Sequence, residues 1–342
     1  MLGHHTHRFC VAPMMDGTDR HCRYFHRLLS QKARLYTEML TADAVINGDR
    51  DRLLGFDPSE HPVALQLGGA DPQKLADAAE IGKEFGYDEI NLNVGCPSDR
   101  VQSGAFGACL MKEPELVAEC MSAMRARTGH PITVKSRIAV DDQDPELVLP
   151  DFIEKVAAAG TTQFIIHARK AFLKGLSPKE NREVPPLNYE IVFDIKKNNP
   201  DLTIILNGGL TTIDMCEKAL KHVDGVMLGR AAYGTPRILM DVDERLYGID
   251  QNTHWKDRLE IIIGKMDRYV HELSSVNVNP HHIVRHMHGL FQGLPGAKAW
   301  RRQLSIDGTA TPKDVLRRAY DAMNSINCDG KEQSPDHHIG SI

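Results

Sequence analysis

Short apolar runs recur through the first 230 residues and alternate with longer segments of helical spacing. Eight runs are predicted to be strands, because each is brief and almost continuously apolar. They are Phe9–Ala12, Leu35–Thr37, Val63–Leu67, Glu89–Asn93, Ile132–Lys135, Phe164–His167, Thr203–Leu206 and Gly225–Leu228. Between them lie predicted helices such as Glu115–Arg127, Leu147–Ala159 and Tyr189–Asn198.

Strands of this kind, joined by helices, indicate a parallel sheet that is covered on both faces. Eight such units favour a (β/α)8 TIM barrel. An open doubly wound sheet is the alternative, although no GxGxxG motif follows the first strand. Polar residues at the strand ends support the barrel, because these ends meet at its C-terminal mouth. The strand-end candidates are Met14, Met15, Glu38, Gln66, Asn93, Cys96, Lys135, Arg137, His167, Arg169, Asn207, Gly229 and Arg230.

The pattern becomes purely helical after the last predicted strand. Thr235-Pro236 is typical of a helix start and predicts a last barrel helix to Tyr247, followed by a polar break at 248–253. Further helices are predicted around 259–273, His282–Phe291 and Ala297–Leu304, with a fourth from Thr311-Pro312 to about Ser325. We therefore predict a catalytic barrel (1–248), a small all-helical domain (249–326) and a disordered tail (327–342).

Charge separates the two predicted domains. Residues 251–305 contain eight Lys and Arg against four Asp and Glu, a net +4 with six His besides. Residues 1–250 contain 29 Lys and Arg against 36 Asp and Glu, a net −7. A basic C-terminal region suits an anionic partner.

The cysteines and the first residues narrow the class of protein. Seven scattered cysteines, without CxxC or Cys/His ligand spacing, argue against a disulfide framework and a zinc site, and no metal site is predicted. No apolar run reaches the roughly 20 residues of a membrane helix. The start, MLGHHTHRFC, lacks the features of a signal peptide. We therefore expect a cytoplasmic protein without a membrane association, and no stable protein partner is implied.

Glycines close the last two predicted strands, in LNGGL (206–210) and MLGR (227–230). In barrels these two loops often bind a phosphate, because glycine lets backbone N–H groups approach it and a cation adds charge. Gly208, Gly209, Gly229 and Arg230 supply both features. A tight turn explains either loop alone, whereas the pair in register favours a phosphate site.

Lys135 and His167 end the fifth and sixth predicted strands. A lysine at the mouth would stabilise a flavin that becomes anionic on accepting a hydride. His167 could hydrogen-bond the same cofactor, and Gln66 could pair with the ring edge through its amide. A surface lysine and a structural core histidine are the alternatives; the convergence of the two residues favours the flavin.

Cys96 lies in a Gly-Cys-Pro turn after the fourth predicted strand, close to Asn93. Free cysteines are usually small buried hydrophobic residues, the interpretation adopted for those at positions 10, 109, 120 and 216. A thiol is largely protonated at neutral pH, so Cys96 can donate a proton as well as attack. A nucleophile would need a base, and none is adjacent in sequence. The residues alone leave both roles open.

Two basic segments are candidate RNA contacts. The stretch 281–302 combines basic and aromatic residues, which suit a nucleic-acid backbone and its bases. These residues are Arg285, Phe291, Lys298, Trp300, Arg301 and Arg302. A solvated helix face with Trp300 in the core explains the same composition. The loop KGLSPKENR (174–182) follows the sixth strand at the mouth, where barrel loops usually contact substrate.

Several motifs together resemble the tRNA-dihydrouridine synthases, and among these the A-type bacterial subfamily. They are APMMDGTDRHCR (12–23), INLNVGCPSDRV (90–101), HARKAFLKGLSPKENRE (167–183), NGG (207–209), DGVMLGR (224–230) and HMHGLFQGLPGAKAWRR (286–302). The resemblance extends from about Arg8 to Leu304. NxGCP is specific to the family, and SPKENR and GLFQGLPGAKAWRR to the subfamily. Gly17 departs from the pattern, since A-type proteins usually carry a large aromatic residue there.

The resemblance implies FMN as cofactor, NADPH as reductant and tRNA as substrate, with uridines 20 and 20a of the D-loop as targets. In the family, the residue matching Cys96 protonates C5 of the uracil while the reduced flavin delivers hydride to C6. The residues implied to bind FMN are Pro13, Met14, Met15, Gln66, Lys135, His167, Asn207, Gly208, Gly209, Gly229 and Arg230. Those implied to bind tRNA are Asn93, Lys179, Arg182, Lys298 and Arg301.

Two rival functions share parts of this pattern. An FMN barrel that reduces a free pyrimidine would use the same flavin residues but would have no use for a basic helical domain. An RNA-binding protein with an inactive barrel would be colourless on purification, whereas a flavin enzyme would be yellow.

Overall fold

A computed structural model describes residues 6–98, 101, 104–307 and 314–329. Within these ranges, eight parallel strands form one sheet in which each strand lies beside its neighbour in sequence. They are β1 (Phe9–Val11), β2 (Leu35–Thr41), β3 (Val63–Gly68), β4 (Glu89–Val94), β5 (Ile132–Arg137), β6 (Gln163–His167), β7 (Thr203–Asn207) and β8 (Gly225–Leu228).

The sheet closes on itself. Strand β1 pairs with β8. On its other side, the N–H of Val11 donates to the carbonyl of Arg34, and the N–H of Arg34 to the carbonyl of Phe9, each at 2.9 Å. Because Arg34 directly precedes β2, these bonds join the first two strands. The predicted (β/α)8 barrel is confirmed.

All eight strands lie where the apolar runs predict them, and β2 differs most in length. It continues from the predicted end at Thr37 to Thr41, with a register shift between Tyr36 and Met39 along β3. Glu38, predicted at a strand end, therefore lies inside the strand. The strand is longer than its apolar run because its last residues pair with the backbone of β3, and side-chain polarity does not predict such pairing.

Helices follow the strands around the barrel. They are α1 (Arg20–Leu29), α2 (Ala42–Asn47), α3 (Arg50–Leu54), α4 (Pro72–Glu84), α5 (Pro114–Thr128), α6 (Pro145–Ala158), α7 (Tyr189–Asn198), α8 (Ile213–Ala219), α9 (Arg230–Gly234) and α10 (Val242–Tyr247). Local chemistry sets several starts: Asp71 and Asp144 accept backbone N–H groups as N-caps, each followed by a proline.

Side chains fill the inside of the barrel. Tyr36, Ile165, Ile205 and Met227 form a buried cluster with three smaller residues of the inward faces. The interior is therefore a packed core, and chemistry with an external ligand is confined to the strand ends.

The helix predicted from Thr235-Pro236 to Tyr247 has the predicted limits but not one helix type. A 3-10 helix at Pro236–Asp241 leads directly into α10, and the short helix α9 precedes it. Two compact units are distinguished in the described chain: one runs to Ala232 and resumes at Ile238–Asp250, the other joins Tyr233–Arg237 to the chain from Gln251 onward. The 3-10 helix therefore begins in the second unit and returns to the first after Arg237.

The second unit contains four described α-helices: α11 (Trp255–Ser275), α12 (Pro280–Val284), α13 (Ala297–Asp307) and α14 (Val315–Asp329). In α11, the predicted apolar face is buried at Leu259, Ile262, Ile263, Met266 and Val270. None of the described helices combines the length and apolar character of a membrane span. The functional roles assigned to 1–248, 249–326 and 327–342 stay predictions.

Two helix limits in this unit differ from the predictions. The helix predicted at His282–Phe291 begins at Pro280, because Asn279 caps it, and gives way to a 3-10 helix after Val284. The last helix continues past Ser325 to Asp329, since neither glycine nor proline interrupts it there. The predicted start at Thr311-Pro312, and residues 330–342, lie outside the described residues.

Candidate active site

The ends of strands β3 to β7 bring most of the predicted site residues to the mouth. Strand register pairs Asn93 with Lys135, and His167 with both Arg137 and Asn207. Asn93, Arg137, His167 and Asn207 are each less than 9% exposed. Polar groups from four neighbouring strands therefore share one enclosed region.

The Cys96 turn is fixed from two sides. The side-chain oxygen of Asn93 accepts the N–H of Cys96 at 2.9 Å and that of Gly95 at 3.1 Å. On the other side, the N–H of Ala108 donates to the carbonyl of Cys96 at 2.9 Å. Gly107, with φ +76°, approaches that carbonyl so closely that an added Cβ would lie 2.6 Å from its oxygen. These contacts hold a half-buried thiol whose Sγ is 3.5 Å from the hydroxyl of Ser98.

Two cations lie close enough to Cys96 to interact with it electrostatically. Burial and then the charge of Arg137 lower the pKa of Lys135 to about 7. Burial lowers the pKa of Arg137 to about 9. A thiolate at Cys96 would oppose both shifts. A bound anion would have the same effect.

His167 is neutral at the mouth. Burial, followed by the charges of Arg137 and Lys135, holds its pKa well below the usual value. A neutral imidazole can donate one hydrogen bond and accept another. Asn207, its neighbour across the strands, donates from Nδ2 to the carbonyl of Met227 at 2.7 Å.

The Asn-Gly-Gly loop after β7 requires its glycines. Gly208 and Gly209 have φ values of +110° and +70°. An added Cβ on Gly208 would lie 2.6 Å from the imidazole of His167, and one on Gly209 would lie 2.4 Å from Leu187. Tyr189 anchors the loop by donating to the carbonyl of Gly208 at 2.7 Å. The positive φ angles and the close approach of these neighbours both exclude a side chain at the two positions.

Arg230, predicted to add charge at the phosphate site, is exposed and paired. It donates to Glu183 at 2.6 Å and to the carbonyl of Arg182 at 3.1 Å. Burial and then Arg230 lower the pKa of Arg182. Burial also lowers the pKa of Arg169, and its buried Nε has no hydrogen-bond partner. The cations of this region therefore repel one another, and Glu183 is the carboxylate paired with Arg230.

Gln66 uses both atoms of its amide within the chain. Its Oε1 accepts from Asn93 at 2.8 Å, and its Nε2 donates to Asn91 at 2.7 Å. Each amide atom can make a second hydrogen bond. Asn91 is not among the predicted site residues, although it alternates with Glu89 and Asn93 along one strand, a pattern that indicates a polar inward face.

The loop of Pro13, Met14 and Met15 follows β1. The N–H of Met14 donates to the hydroxyl of Thr18 at 3.0 Å, and the N–H of Gly17 to the carbonyl of Met14 at 3.0 Å. Met15 is 57% exposed. A Cβ added to Gly17 would lie 3.0 Å from that of Met14, so a larger residue there would require this loop to shift slightly.

Lys179 and Arg182 are exposed on the loop after β6. Asn181, between them in sequence, is buried and holds the loop by accepting from the N–H of Phe172 at 2.7 Å and donating to its carbonyl at 2.9 Å. Arg137 adds a bond to the carbonyl of Asn181 at 2.9 Å. The mouth thus fixes the backbone from which these two basic side chains project.

In the second unit, the aromatic residues of 281–302 belong to the core. Trp300 is 0% exposed, donates from its indole N–H to the carbonyl of Met287 at 2.9 Å, and packs edge-on against Phe291 at 4.8 Å. Of the two interpretations of this stretch, the one that places Trp300 in the core is confirmed, and the interpretation of these buried rings as base contacts is wrong, because burial of apolar area governs their position. Lys298 is exposed, and Arg301 is half-buried with a bond to Gln292 at 2.7 Å.

The comparisons with known proteins agree with the geometry. A family model described as dihydrouridine synthase (Dus) matches residues 10–326. The chain belongs to the dihydrouridine synthase family. A tRNA-dihydrouridine(20/20a) synthase of Xanthomonas axonopodis pv. citri is 55% identical over 298 residues, covering 87% of this chain and 88% of the relative. The enzyme of that name from Vibrio cholerae is 55% identical over 302 residues, covering 88% and 91%. That from Shewanella oneidensis is 51% identical over 319 residues, covering 93% and 94%.

Membership of the dihydrouridine synthases confirms the resemblance that the motifs indicate, and with it the prediction of an enzyme. The match covers all eight strands of the barrel except Phe9 and continues through the helical unit. Both units therefore belong to the architecture of the family.

Proposed function

We propose that this dihydrouridine synthase reduces the C5–C6 double bond of uridines 20 and 20a in the D-loop of tRNA, using FMN and NADPH, with Cys96 as the proton donor to C5. The observation that supports the proposal most is the setting of the Cys96 thiol. It lies in a turn held by Asn93, within reach of the fields of Lys135 and Arg137.

The residues of the mouth fit FMN. FMN is anionic at its phosphate, and its ring becomes anionic on reduction. Burial lowers the pKa of Lys135 to about 7, so this lysine gains from a neighbouring anion, and the buried Nε of Arg169, which is not among the proposed contacts, adds a donor without a partner. Gly208 and Gly209 have a backbone conformation that side chains rarely adopt, which lets N–H groups approach a phosphate. The proposed contacts to the phosphate are Asn207, Gly208, Gly209, Gly229 and Arg230, and those to the ring are Pro13, Met14, Met15, Gln66, Lys135 and His167.

When bound, FMN supplies the hydride chemistry that carries two electrons from NADPH to C6 of the uracil. The chain's own residues complete the reaction. As C6 gains hydride, C5 becomes carbanion-like, and the S–H of Cys96 gives it a proton. The thiolate left behind is stabilised by Lys135 and Arg137, and it regains its proton from solvent. Lys135 must be protonated for this role.

The RNA substrate follows from the same chemistry. A uridine in a folded tRNA is stacked or paired and must leave the stack to enter a pocket. Asn93, which holds the Cys96 turn, contacts the extruded base in this proposal. Lys179 and Arg182 on the fixed loop of the first unit, and Lys298 and Arg301 in the second, bind phosphates of the tRNA.

The test compares the wild-type protein with Cys96→Ala on tRNA from cells that lack this enzyme. The wild-type protein should be yellow and should form dihydrouridine at positions 20 and 20a with NADPH. The variant should keep FMN and tRNA but lose at least about a hundredfold of the rate, in the range of general acid catalysis. Single-turnover assays with mapping of dihydrouridine in the tRNA measure this.

Cys109→Ala is the matched control, because Cys109 is also a half-buried free thiol. It should retain the wild-type rate. Equal rates for wild type and Cys96→Ala would exclude Cys96 as the acid. A colourless protein, or full activity on free uracil without tRNA, would contradict the proposed function as a whole.

A further inference from the structure

The floor of the barrel, at the N-terminal ends of the strands, contains a buried carboxylate. Glu89 is 0% exposed. Its Oε2 is 2.6 Å from Nε2 of His7 and 3.3 Å from Arg34. Its Oε1 accepts from the hydroxyls of Tyr36 at 2.7 Å and Thr133 at 2.5 Å. Burial opposes ionisation, but the interactions with His7 and Arg34 hold the pKa of Glu89 at about 2.

A line of buried polar side chains joins this floor to the mouth. Asn91 donates to the hydroxyl of Thr133 at 2.8 Å. Gln66 donates to Asn91 at 2.7 Å, and Asn93 donates to Gln66 at 2.8 Å. Strand register places Gln66, Asn91 and Thr133 side by side. With Glu89, these four residues form the amide relay: Glu89, Thr133, Asn91, Gln66 and Asn93.

The chemistry of Glu89 sets the direction of the first links. A carboxylate accepts hydrogen bonds and cannot donate. Thr133 must therefore direct its single hydroxyl hydrogen at Glu89, and its oxygen can then only accept from Asn91. Because the Asn91 nitrogen faces Thr133, its oxygen faces Gln66. The nitrogen of Gln66 must donate to that oxygen.

The same constraint reaches the turn that contains Cys96. The oxygen of Gln66 faces Asn93 and accepts from its nitrogen. The oxygen of Asn93 is then the atom left to face the N–H groups of Gly95 and Cys96, which can only donate. At the floor Glu89 can only accept, and at the turn the N–H groups of Gly95 and Cys96 can only donate. Both ends therefore require the same orientation of the three amides between them.

We propose that Glu89 is a positioning residue for Cys96, acting through the amide relay to keep the Asn93 oxygen on the Cys96 turn. Its meaning for catalysis rests on the proposed function, whereas the relay itself can be tested without substrate. Glu89 touches neither Cys96 nor any residue proposed to contact the RNA other than through this line.

Glu89→Gln should reverse the relay. Arg34 can only donate, so the new amide oxygen faces Arg34 and the new NH2 group faces Thr133. The Thr133 oxygen then accepts from Gln at 89, and its hydrogen turns to Asn91, which must flip to accept it. Gln66 and Asn93 flip in turn.

After this reversal, the Asn93 nitrogen faces the N–H groups of Gly95 and Cys96. Two donors then oppose each other at the turn. Adding Thr133→Val removes the hydroxyl that links position 89 to Asn91. The amides should then return to the orientation that the N–H groups of the Cys96 turn require.

The experiment compares Glu89→Gln, Thr133→Val and the double variant with the wild-type protein. The first readout is the alkylation rate of Cys96 by iodoacetamide in FMN-free protein, followed peptide by peptide with Cys109 as internal reference. The second is single-turnover reduction of tRNA. Glu89→Gln should alkylate about tenfold faster and reduce tRNA about tenfold more slowly, the effect expected of one opposed buried donor.

Rescue is the decisive result. The double variant should return to within about threefold of Thr133→Val in both readouts. If Glu89 served stability alone, the two lesions would add and the double variant would be the worst. Tyr36→Phe is the control, because it removes the other hydroxyl on the same Glu89 oxygen and lies outside the relay; it should alkylate at the wild-type rate.

Neutron diffraction of the wild-type protein tests the relay even if Glu89→Gln does not fold, because it distinguishes amide nitrogen from oxygen. An Asn93 nitrogen facing the Cys96 turn would overturn the proposal. The alkylation assay also separates it from the proposed function: an inactive wild-type protein with a normal rescue pattern would refute uridine reduction and leave the relay standing.

Discussion

The two ends of this barrel differ in how their buried charges are paired. At the floor, the buried Glu89 carboxylate has a partner for each oxygen, and Arg34 lies 3.3 Å from it. At the mouth, burial and then the charge of Arg137 lower the pKa of Lys135, and burial followed by the charge of Arg182 lowers the pKa of Arg137. The buried carboxylate of the floor is thus paired with charges of the chain, whereas the buried cations of the mouth lie close to one another.

This difference predicts opposite effects of the two sets of charges on the free energy of unfolding. A buried ion pair contributes little net stability, but removing one partner is strongly destabilising because the other charge stays buried without compensation. A buried charge without an opposite charge costs stability until an anion binds. Removing a charge should therefore lower the free energy of unfolding at the floor and raise it at the mouth. The sign of the change distinguishes the two kinds of buried charge.

Arg34→Met should have the largest effect. It leaves the Glu89 carboxylate without its arginine, and we expect the free energy of unfolding to fall by about 3–5 kcal/mol at pH 7. Since the pKa of Glu89 is about 2, below its ordinary 4.5, its stabilisation is present above pH 4.5 and lost as pH falls through 2. The difference between variant and wild type should shrink in that window.

Urea unfolding of FMN-free protein measures this loss. Lys74→Met is the matched control, because Lys74 pairs with Asp43 at 2.8 Å on the surface, where both side chains are more than half exposed. It should change stability little, because solvent screens an exposed ion pair. A similar loss in both variants would contradict the contrast between floor and surface.

The sequence was sufficient for the barrel because apolar runs determine strand positions independently of distant contacts. Each of the eight runs became a strand, and the polar residues that follow them met at one mouth. The floor was not predictable in this way. Arg34, Glu89 and Thr133 are far apart in sequence, and only strand order brings them together.

Other differences from the predictions have separate causes. Phe291 and Trp300 look like base contacts by composition, but a small helical unit needs large rings for its own core. The assignment of residues 233–237 to the second unit depends on contacts that are distant in sequence, so no local pattern indicates it. The alternation of Glu89, Asn91 and Asn93 did carry a readable signal, because a strand with polar residues at every second position has a polar inward face.

Lys135→Met should have the opposite sign at the mouth. Removing this cation should raise the unfolding free energy of FMN-free protein by on the order of 1 kcal/mol at pH 6. The pKa of Lys135 is about 7 against an ordinary 10.5, so its cost is complete below pH 7. The gain should therefore diminish as pH rises from 7 to 10.5.

FMN binding supplies the second half of this test. The same variant should bind FMN about tenfold more weakly, because the charge that costs stability is the charge that meets the cofactor. Lys155→Met is the control, since Lys155 pairs with Glu115 and Asp151 on the surface. Fluorescence titration measures the affinity. If Lys135→Met instead lowered the free energy of unfolding, Lys135 would be a stabilising charge like those of the floor, and the contrast between the two ends would fail.

Glu183→Gln should have the smallest effect and the most specific one. Glu183 pairs with Arg230 at 2.6 Å, with both side chains about half exposed, so stability should change by less than about 0.5 kcal/mol. Releasing Arg230 should strengthen FMN or tRNA binding about two- to threefold, an effect that 0.5 M salt should abolish. Glu190→Gln, exposed at the start of α7, should leave both unchanged. Weaker binding by Glu183→Gln would mean that Glu183 positions Arg230 for the anion. In that case one cation of the mouth, Arg230, would depend on a paired carboxylate, as the charges of the floor do.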